Sequence, residues 1–296
     1  MKRTESTQHQ RATTTGDKDS GALSTAGLVL AAGKGSRMAG YEGCKPLLPL
    51  LPAGGPFEGD APILLHIIGN LPPGPVAIVV NHRKKEVIQA TSSLPLTYCN
   101  QPVLNGTGGA LLAARDFLAE NARRRIIITM GDVPLVTRDT YTAMAEALDG
   151  SHMVVLAFTP ADRKRYGLLE TDGNRVRRII EWNYWRHFEA RRIDELKLCN
   201  SGIYAVRGAT LTRYLDIMES QPHRVTKQRD GRAVAVDEYF ITDLVEYLNR
   251  DGLSVGWIEA SDENEVMGVD DPGALEKAQR LYRARFACSA GSGSTA

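Results

Sequence analysis

Short apolar runs alternate along the chain with segments whose apolar residues recur at helical spacing. Four such runs in the first half predict buried strands, at residues 27–31, 76–80, 94–99 and 125–130. Four helical patterns accompany them, at residues 63–69, 84–91, 108–120 and 138–148. Strands that alternate with helices build βαβ units, so the pattern predicts an α/β fold with a mostly parallel sheet.

The second half of the chain predicts a more mixed arrangement. Asp172-Gly173-Asn174 is typical of a tight turn, so the flanking segments 166–170 and 175–181 are expected to form a hairpin. Further strands are expected at residues 154–158 and 198–206, and further helices at residues 208–219, 240–249 and 272–285. The stretch 221–231 is polar and basic, which predicts a mobile loop.

Composition narrows the classes of function. Lys and Arg total 36 against 35 Asp and Glu, so the chain lacks the basic excess of a nucleic-acid-binding protein. No apolar run approaches the roughly 20 residues of a membrane span, and the N-terminal residues are not expected to act as a secretory signal. The four cysteines lie far apart without a CxxC pair, so neither a zinc site nor a disulfide framework is expected. Polar residues dominate segments 1–25 and 287–296, which predicts disordered tails.

The loop after the first strand combines glycine with positive charge. Ligands of parallel sheets bind beyond the carboxyl ends of the strands, which directs attention to this loop. Gly33 allows the backbone to approach a phosphate closely, and Lys34, Arg37 and Lys45 add charge, as a triphosphate site requires. The spacing matches neither the dinucleotide fingerprint nor the Walker A loop. An ordinary tight turn explains the glycines equally well.

The segment after the third strand suggests a contact with a nucleotide base. The amide of Gln101 offers both a donor and an acceptor to a base edge, and Gly106 leaves room for a flat ring. Thr107 stands beside them, but it also suits the N-cap of the helix that follows.

Two aspartates are candidate ligands for Mg²⁺. Asp132 follows the fourth strand after Gly131, where a carboxylate can hold the ion beside phosphates or else cap the next turn. Asp271 precedes Pro272 as a helix N-cap does, which leaves Asp270 as the second candidate metal ligand.

These segments together resemble the sugar nucleotidyltransferases. They are most similar to the bacterial uridylyltransferases that act on N-acetylglucosamine 1-phosphate. The resemblance covers about residues 26–285 and is carried by an ordered series of motifs, at residues 30–38, Lys45-Pro46, Gln101, 106–108, 131–135, Tyr166-Gly167, Ile180-Glu181, 200–203, 238–243 and 268–270.

The resemblance implies a Rossmann-like, mostly parallel mixed sheet with helices on both faces, of the nucleotide-diphospho-sugar transferase type. The domain would span residues 26–286. Its nucleotide-binding half would lie at about 26–150, its sugar-binding half at about 151–270, and its C-terminal helix at 272–285.

The resemblance also implies a role for each matching residue. The catalytic residues that neutralise phosphates would be Arg37 and Lys45, and the Mg²⁺ ligands Asp132 and Asp270. The nucleotide would contact Ala31, Ala32, Gly33, Gln101, Gly106 and Thr107. The sugar would be held by Gly167, Glu181 and Asn200. The implied reaction transfers a uridylyl group from UTP to N-acetylglucosamine 1-phosphate or a related hexose 1-phosphate in the cytoplasm, with neither nucleic acid nor membrane as partner.

The chain departs from the family pattern at three places. Gly109 stands where the family usually has His, Asp270 stands where it usually has Asn, and residues 48–61 form a longer loop than usual. The sugar and the oligomeric state therefore stay open. Two alternatives stay open as well: a cytidylyl- or guanylyltransferase for another phosphate acceptor, and a non-catalytic nucleotide-sugar sensor.

Overall fold

The structure, a computed structural model, describes residues 24–33, 38–229 and 232–291. The strands of these residues are β1 (Thr25–Leu30), β2 (Pro49–Gly55), β3 (Glu58–Pro62), β4 (Val76–Val80), β5 (Leu96–Asn100), β6 (Arg125–Met130), β7 (Met153–Phe158), β8 (Leu168–Asp172), β9 (Arg175–Ile180), β10 (Cys199–Arg207), β11 (His223–Arg229), β12 (Arg232–Glu238) and β13 (Val255–Glu259). The helices are α1 (Ile63–Asn70), α2 (Lys84–Ala90), α3 (Gly106–Ala113), α4 (Arg115–Glu120), α5 (Arg138–Ala147), α6 (Trp182–Trp185), α7 (Ala190–Glu195), α8 (Gly208–Ser220), α9 (Asp243–Arg250) and α10 (Pro272–Gly291), with a 3-10 turn at Lys45–Leu47.

The main sheet is mixed and has the order β5-β4-β1-β6-β10-β7-β13-β9-β8. The neighbours from β5 to β6 are parallel, as are β7 and β13. Strand β10 runs antiparallel to both β6 and β7, and β9 runs antiparallel to β8 and β13. The predicted α/β fold is confirmed, and its parallel pairing is concentrated in the first half of the chain.

Side chains on both faces of the sheet are buried, which explains the continuous apolar runs of the sequence. Val29 and Ile127 belong to a core on one face, and Leu28 and Ile128 belong to a core on the other; all four are fully buried. Burial of each such side chain contributes about 1.5–3 kcal/mol. Helices α1, α5 and α10 cover the first face, while α3, α8 and α9 cover the second, so the predicted helices on both faces are confirmed.

The parallel strands bring the segments that follow them to one edge of the sheet. The N–H of Gly131, after β6, donates to the carbonyl of Leu30 at the end of β1 (2.9 Å). The N–H of Gln101, after β5, donates to the carbonyl of Val80 at the end of β4 (2.9 Å). Sequence positions that lie far apart therefore meet at this carboxyl edge.

Two segments predicted as loops form antiparallel hairpins. Most of residues 221–231 belongs to β11, which pairs with β12 and carries a cross-strand contact between Arg224 and Asp237 (3.0 Å). Residues 48–61 largely form β2 and β3, and the side-chain amide of Gln279 donates to the carbonyls of both Pro49 and Pro56 (2.9 and 2.8 Å). The predictions were wrong because backbone ladders hold these hairpins outside the main sheet, with little apolar alternation to signal them.

The remaining differences concern element boundaries, the unpredicted short helices α6 and α7, and the unpredicted strands β12 and β13. The helix expected at 108–120 is two helices, α3 and α4, which break at Ala114. The helix expected at 240–249 begins at Asp243, and α10 continues to Gly291, into the predicted C-terminal tail. Strand β13 was missed because Gly256 lowers its strand propensity; that glycine lets the backbone approach Ser151.

The described structure bears on the state of the cysteines and on membrane spans. Of the described side chains, Cys44, Cys99 and Cys199 are buried as free thiols. Within the part of the chain that the structure covers, no helix combines the length and the apolar character needed to cross a membrane.

Candidate active site

A cavity of about 430 Å³ opens at the carboxyl edge of the parallel strands. Pockets of this size are typical of small-molecule sites. It brings together nine of the residues that the sequence predicted for the site: Ala31, Ala32, Gly33, Lys45, Gln101, Gly106, Thr107, Asp132 and Asp270. Predicted site residues from four separate segments of the chain therefore line a single cavity.

Lys45 links the two candidate metal ligands. Its Nζ lies 2.5 Å from Asp132 Oδ2 and 3.0 Å from Asp270 Oδ1. Asp132 is placed by the end of β6, and the N–H of Val269 donates to the Asp132 carbonyl (2.8 Å), which brings Asp270 alongside. Two carboxylates from distant segments thus converge on one positive charge.

The electrostatics of this group keep Lys45 protonated. Burial alone lowers the pKa of a lysine, because it disfavours the charged form. The carboxylates of Asp132 and Asp270 outweigh burial and raise the pKa of Lys45 above its usual value. The side chain of Lys45 is only 12% exposed, so this charge lies inside the cavity wall rather than in bulk solvent.

Gln101 and Gly106 form another part of the cavity wall. Gln101 is 4% exposed, and its Nε2 donates to the Gly106 carbonyl (3.1 Å). Gly106 has φ +94°, and a Cβ there would lie 2.3 Å from the Tyr239 carbonyl oxygen. Glycine is therefore required at this position by the backbone of residue 239 as well as by the shape of the cavity.

Thr107 lines the cavity, but the N-cap position of α3 is occupied by Asn105. The Thr107 hydroxyl instead accepts a hydrogen bond from the N–H of Ile241 (3.2 Å), which ties α3 to the segment after β12. The N-cap role considered for Thr107 is therefore wrong. The predicted N-cap role of Asp271 is confirmed, since its Oδ1 accepts the N–H of Ala274 (2.8 Å).

The three residues predicted to hold the sugar form a cluster of their own. The N–H of Asn200 donates to the Gly167 carbonyl (2.8 Å). A Cβ added at Gly167 would lie 3.6 Å from Glu181 Oε2 and 3.7 Å from the Asn200 Cβ. The carboxylate of Glu181 and the side chain of Asn200 therefore both lie beside Gly167.

Glu181 has the electrostatic features of a residue held for binding. Burial raises the pKa of its carboxyl, a hydrogen bond from Thr242 opposes the shift, and Asp243 adds to it. Glu181 stands at the N-cap position of α6, yet the described structure shows no capping bond from its side chain. The carboxylate is thus partly desolvated without serving its own helix, which is a common feature of functional carboxylates.

Met130 and Tyr166 connect the sugar cluster with the cavity. Met130 lines the cavity, and its Cε would lie 3.2 Å from a Cβ at Gly202, whose N–H donates to Asn200 Oδ1 (3.1 Å). Burial raises the pKa of Tyr166, and the negative charge of Asp270 raises it further. The sugar cluster therefore adjoins the charged part of the cavity.

Sequence reasoning assigned no role to several residues of the site. Met130 is the last residue of β6, so the rule that ligands bind at carboxyl ends could have found it. Glu238 also lines the cavity, but it is the last residue of β12, which lies outside the main sheet, and that rule does not apply to it. Arg37, predicted as catalytic, lies outside the described residues.

Comparison with known proteins places the chain in a family. A family model described as the MobA-like NTP transferase domain matches residues 27–223. The chain belongs to this family. The match spans β1 to the start of β11 and therefore includes Lys45, Asp132 and the sugar cluster.

Individual relatives agree with that assignment. The bifunctional protein GlmU of Ruegeria sp. (strain TM1040) is 32% identical over 267 residues, which cover 88% of this chain and 54% of that protein. The bifunctional protein GlmU of Nitrobacter hamburgensis is 34% identical over 268 residues, which cover 88% of this chain and 53% of that protein. The chain thus spans about half the length of these curated relatives, and the resemblance noted from the motifs is confirmed.

A solved structure agrees with the fold. The uridine diphosphate N-acetylglucosamine pyrophosphorylase from Trypanosoma brucei has a TM-score of 0.67 to this structure at 14% identity, covering 86% of this chain and 64% of that one. At such low identity the likeness shows the fold alone, which is the predicted nucleotide-diphospho-sugar transferase type.

Proposed function

We propose that this chain transfers a uridylyl group from UTP to N-acetylglucosamine 1-phosphate or a related hexose 1-phosphate, with release of pyrophosphate. One observation carries the proposal: Lys45, Asp132 and Asp270 converge in a cavity that Gln101 and Gly106 also line. A nucleoside triphosphate needs both parts, a charged site for phosphates and a flat, polar site for the base. The family and the GlmU relatives support the same reaction class.

A divalent cation, proposed to be Mg²⁺, suits the aspartate pair. Asp132 and Asp270 already direct oxygens at one cation, the ammonium of Lys45. The described residues contain no cluster of three or more His, Cys, Asp or Glu that could enclose a metal by themselves. Mg²⁺ is commonly held by one or two carboxylates while phosphate oxygens and water fill its other positions. When bound, such an ion neutralises charge on phosphates that must approach one another.

The protein residues supply positioning and charge for an in-line displacement. An oxygen of the sugar phosphate forms a bond to the α-phosphorus of UTP, and the bond from that phosphorus to the bridging oxygen breaks. The acceptor phosphate is already anionic near neutral pH, so no general base is needed. Lys45 stays protonated and places its charge beside the reacting phosphates, a role we also propose for Arg37.

The two ends of the substrate pair are assigned to the two neighbouring groups of residues. Gln101 and Gly106 contact the base of UTP. Gly167 leaves space for the sugar, while Glu181 accepts a hydrogen bond from a sugar hydroxyl and Asn200 offers its side chain beside it. Met130 lies between the sugar cluster and the cavity, so the sugar phosphate binds next to the charged part of the cavity.

The test is pyrophosphate release from a matrix of the four NTPs and several sugar 1-phosphates, each with and without Mg²⁺. Release that requires UTP, a hexose or hexosamine 1-phosphate and the ion is the expected result. Release with CTP or GTP instead would contradict the base assignment. Nucleotide-sugar binding without release from any pair would contradict the transferase and favour a sensor.

Asp132→Asn tests whether release depends on the carboxylate pair. Asp271→Asn is its matched control, since it also removes a carboxylate beside the site but keeps a side chain that can cap α10. We expect the first variant to lose release and the control to retain it. Equal activity in the two variants would contradict the assignment of the aspartate pair.

A further inference from the structure

Both N–H groups of the Gln101 side-chain amide are used within the protein. Nε2 lies 3.1 Å from Asn105 Oδ1 and 3.1 Å from the Gly106 carbonyl oxygen. The Gln101 backbone is held as well, because its carbonyl accepts a hydrogen bond from the amide of Asn81 (2.5 Å). The amide therefore has no donor left for a ligand, and its carbonyl oxygen Oε1 is the atom that remains.

The Oε1 of Gln101 faces space rather than a protein donor. The described structure shows no hydrogen bond to it. Asn264 Oδ1 is the single side-chain oxygen or nitrogen there that is both enclosed and unpaired, so Gln101 Oε1 is reachable from outside. Since Gln101 lines the cavity, this oxygen is an acceptor available to whatever the cavity binds.

The side chain of Asn105 contacts Gln101 and does not cap its own helix, α3. Asn105 occupies the N-cap position of α3, where an asparagine side chain usually accepts an N–H of the first turn. The described residues show no such capping bond. The Oδ1 of Asn105 contacts the Gln101 amide instead.

Gly109 makes room for that contact. A Cβ at residue 109 would lie 1.9 Å from Asn105 Oδ1, closer than any real side chain allows. Gly109 lies within α3 at a negative φ, so its backbone does not require glycine. The absent side chain at 109 and the position of the Asn105 carboxamide are therefore linked.

We propose that Asn105, in the space that Gly109 leaves, is a positioning residue that fixes the Gln101 amide with Oε1 toward the bound base. This inference rests on the proposed function and deepens it. A fixed carbonyl accepts the N3–H of uracil, whereas N3 of cytosine presents a lone pair to it and is repelled. Without Asn105 the amide is held by one hydrogen bond instead of two, so it turns more readily to offer an N–H to cytosine. The pair Asn105 and Gly109 thus sets the preference for UTP over CTP.

The expected effect is that of one hydrogen bond, because the bond from Nε2 to the Gly106 carbonyl remains. One net hydrogen bond corresponds to a factor of about two to ten. We expect Asn105→Ala to lower the ratio of kcat/KM for UTP to that for CTP by about this factor. The loss should lie in KM for UTP, while KM for the sugar 1-phosphate stays unchanged. A merely structural role would change both KM values or the melting temperature.

Two further variants make the test specific. Asn105→Asp keeps an oxygen acceptor for Nε2 and should retain the wild-type ratio. Gly109→Ala should reproduce the effect of Asn105→Ala, because its Cβ displaces the Asn105 side chain, although alanine favours a helix more than glycine does. The double variant should equal either single variant, since both remove the same contact.

The outcomes separate this inference from the proposed function. An unchanged UTP to CTP ratio in Asn105→Ala, or additive effects in the double variant, would overturn the positioning role. A wild type that transfers CTP in preference to UTP would overturn it as well. If the wild type transfers neither, the proposed function fails, and titration of UTP and CTP binding on the same five proteins decides the positioning role by the ratio of the two affinities.

Discussion

Replacement of Lys45 by methionine should change cation binding and turnover in opposite directions. The ammonium lies 2.5 and 3.0 Å from the two carboxylates that we propose hold the divalent ion, so the two cations compete for one position. Asp132 and Asp270 are 28% and 39% exposed, and solvent therefore weakens each contact. With about 1.5 kcal/mol for each charge-assisted hydrogen bond, the low end of the usual range, the competition totals about 3 kcal/mol, or roughly a factor of 100.

We therefore expect Lys45→Met to bind Mg²⁺ or Mn²⁺ about 100-fold more tightly in the absence of nucleotide. Titration calorimetry measures this directly, and a larger rise of melting temperature with the ion gives a second readout. Pyrophosphate release should fall, since the charge that faces the phosphates is lost. Lys84→Met is the control, because the ammonium of that exposed lysine contacts an amide oxygen, Asn100 Oδ1 at 3.3 Å, and no carboxylate among the described residues. Unchanged or weaker ion binding in Lys45→Met would refute the shared position.

Three other variants test separate parts of the site. Asp132→Asn should lower turnover by about 100-fold or more, as removal of one preorganised stabiliser does, and near-wild-type turnover at saturating Mg²⁺ would contradict its role. Burial raises the pKa of Glu181, so stability is lost as pH rises from the ordinary carboxyl range toward the raised pKa. Glu181→Gln should not lose stability over this pH range, and its melting temperature at neutral pH should be no lower than that of the wild type. Its KM for the sugar phosphate should rise about tenfold. Melting curves from about pH 4 to pH 8 check the stability, and initial rates check the KM. Gly106→Ala should lower the free energy of unfolding by about 1–3 kcal/mol, because φ is +94° and the Cβ meets the Tyr239 carbonyl. Gly173→Ala is the control, since residue 173 has φ +57° but lies in open space, and it should lower the free energy of unfolding by less. Denaturant unfolding measures both variants.

The charged part of the site was predictable because parallel strands obey a simple rule. Apolar runs located β1, β4, β5 and β6, and parallel pairing brings the segments after them to one edge. Residues that closely follow those strands, such as Gln101 and Asp132, could therefore be assigned to one cavity from the sequence. Lys45 required more than the rule, since it follows β1 at a distance and was assigned by its loop and by the family pattern.

The hairpin of β11 and β12 shows where sequence reasoning fails. Strand β11 is polar, β12 has only a short run of alanine and valine, and the two strands pair with each other outside the main sheet, so little in the sequence distinguishes this hairpin from a loop. Its consequence for the site is large, because the residues that follow β12 contact the first turn of α3. The Tyr239 carbonyl accepts the N–H of Gly108 (2.8 Å), and it imposes glycine at 106.

The link between Asn105 and Gly109 was equally hidden, although the departure at 109 was visible. From the sequence, Gly109 was only a departure from the pattern that the resemblance implies. The structure shows what glycine permits at this position, namely an Asn105 carboxamide beside it whose oxygen contacts Gln101. A departure from a family pattern can thus mark a compensating contact that only coordinates reveal.

The position of Asp270 depends on a residue that no motif identified. Glu265 is 1% exposed, and its Oε1 accepts hydrogen bonds from the N–H and the hydroxyl of Thr137 (3.1 and 3.2 Å) at the start of α5. This buried carboxylate anchors the segment before Asp270 to the same strand-end region that carries Asp132. The N–H of Val269 then donates to the Asp132 carbonyl and completes the alignment. The two proposed metal ligands, Asp132 and Asp270, are far apart in sequence and meet only when the contacts of Glu265 and Val269 have formed. A bound cation and the folded state should therefore stabilise each other.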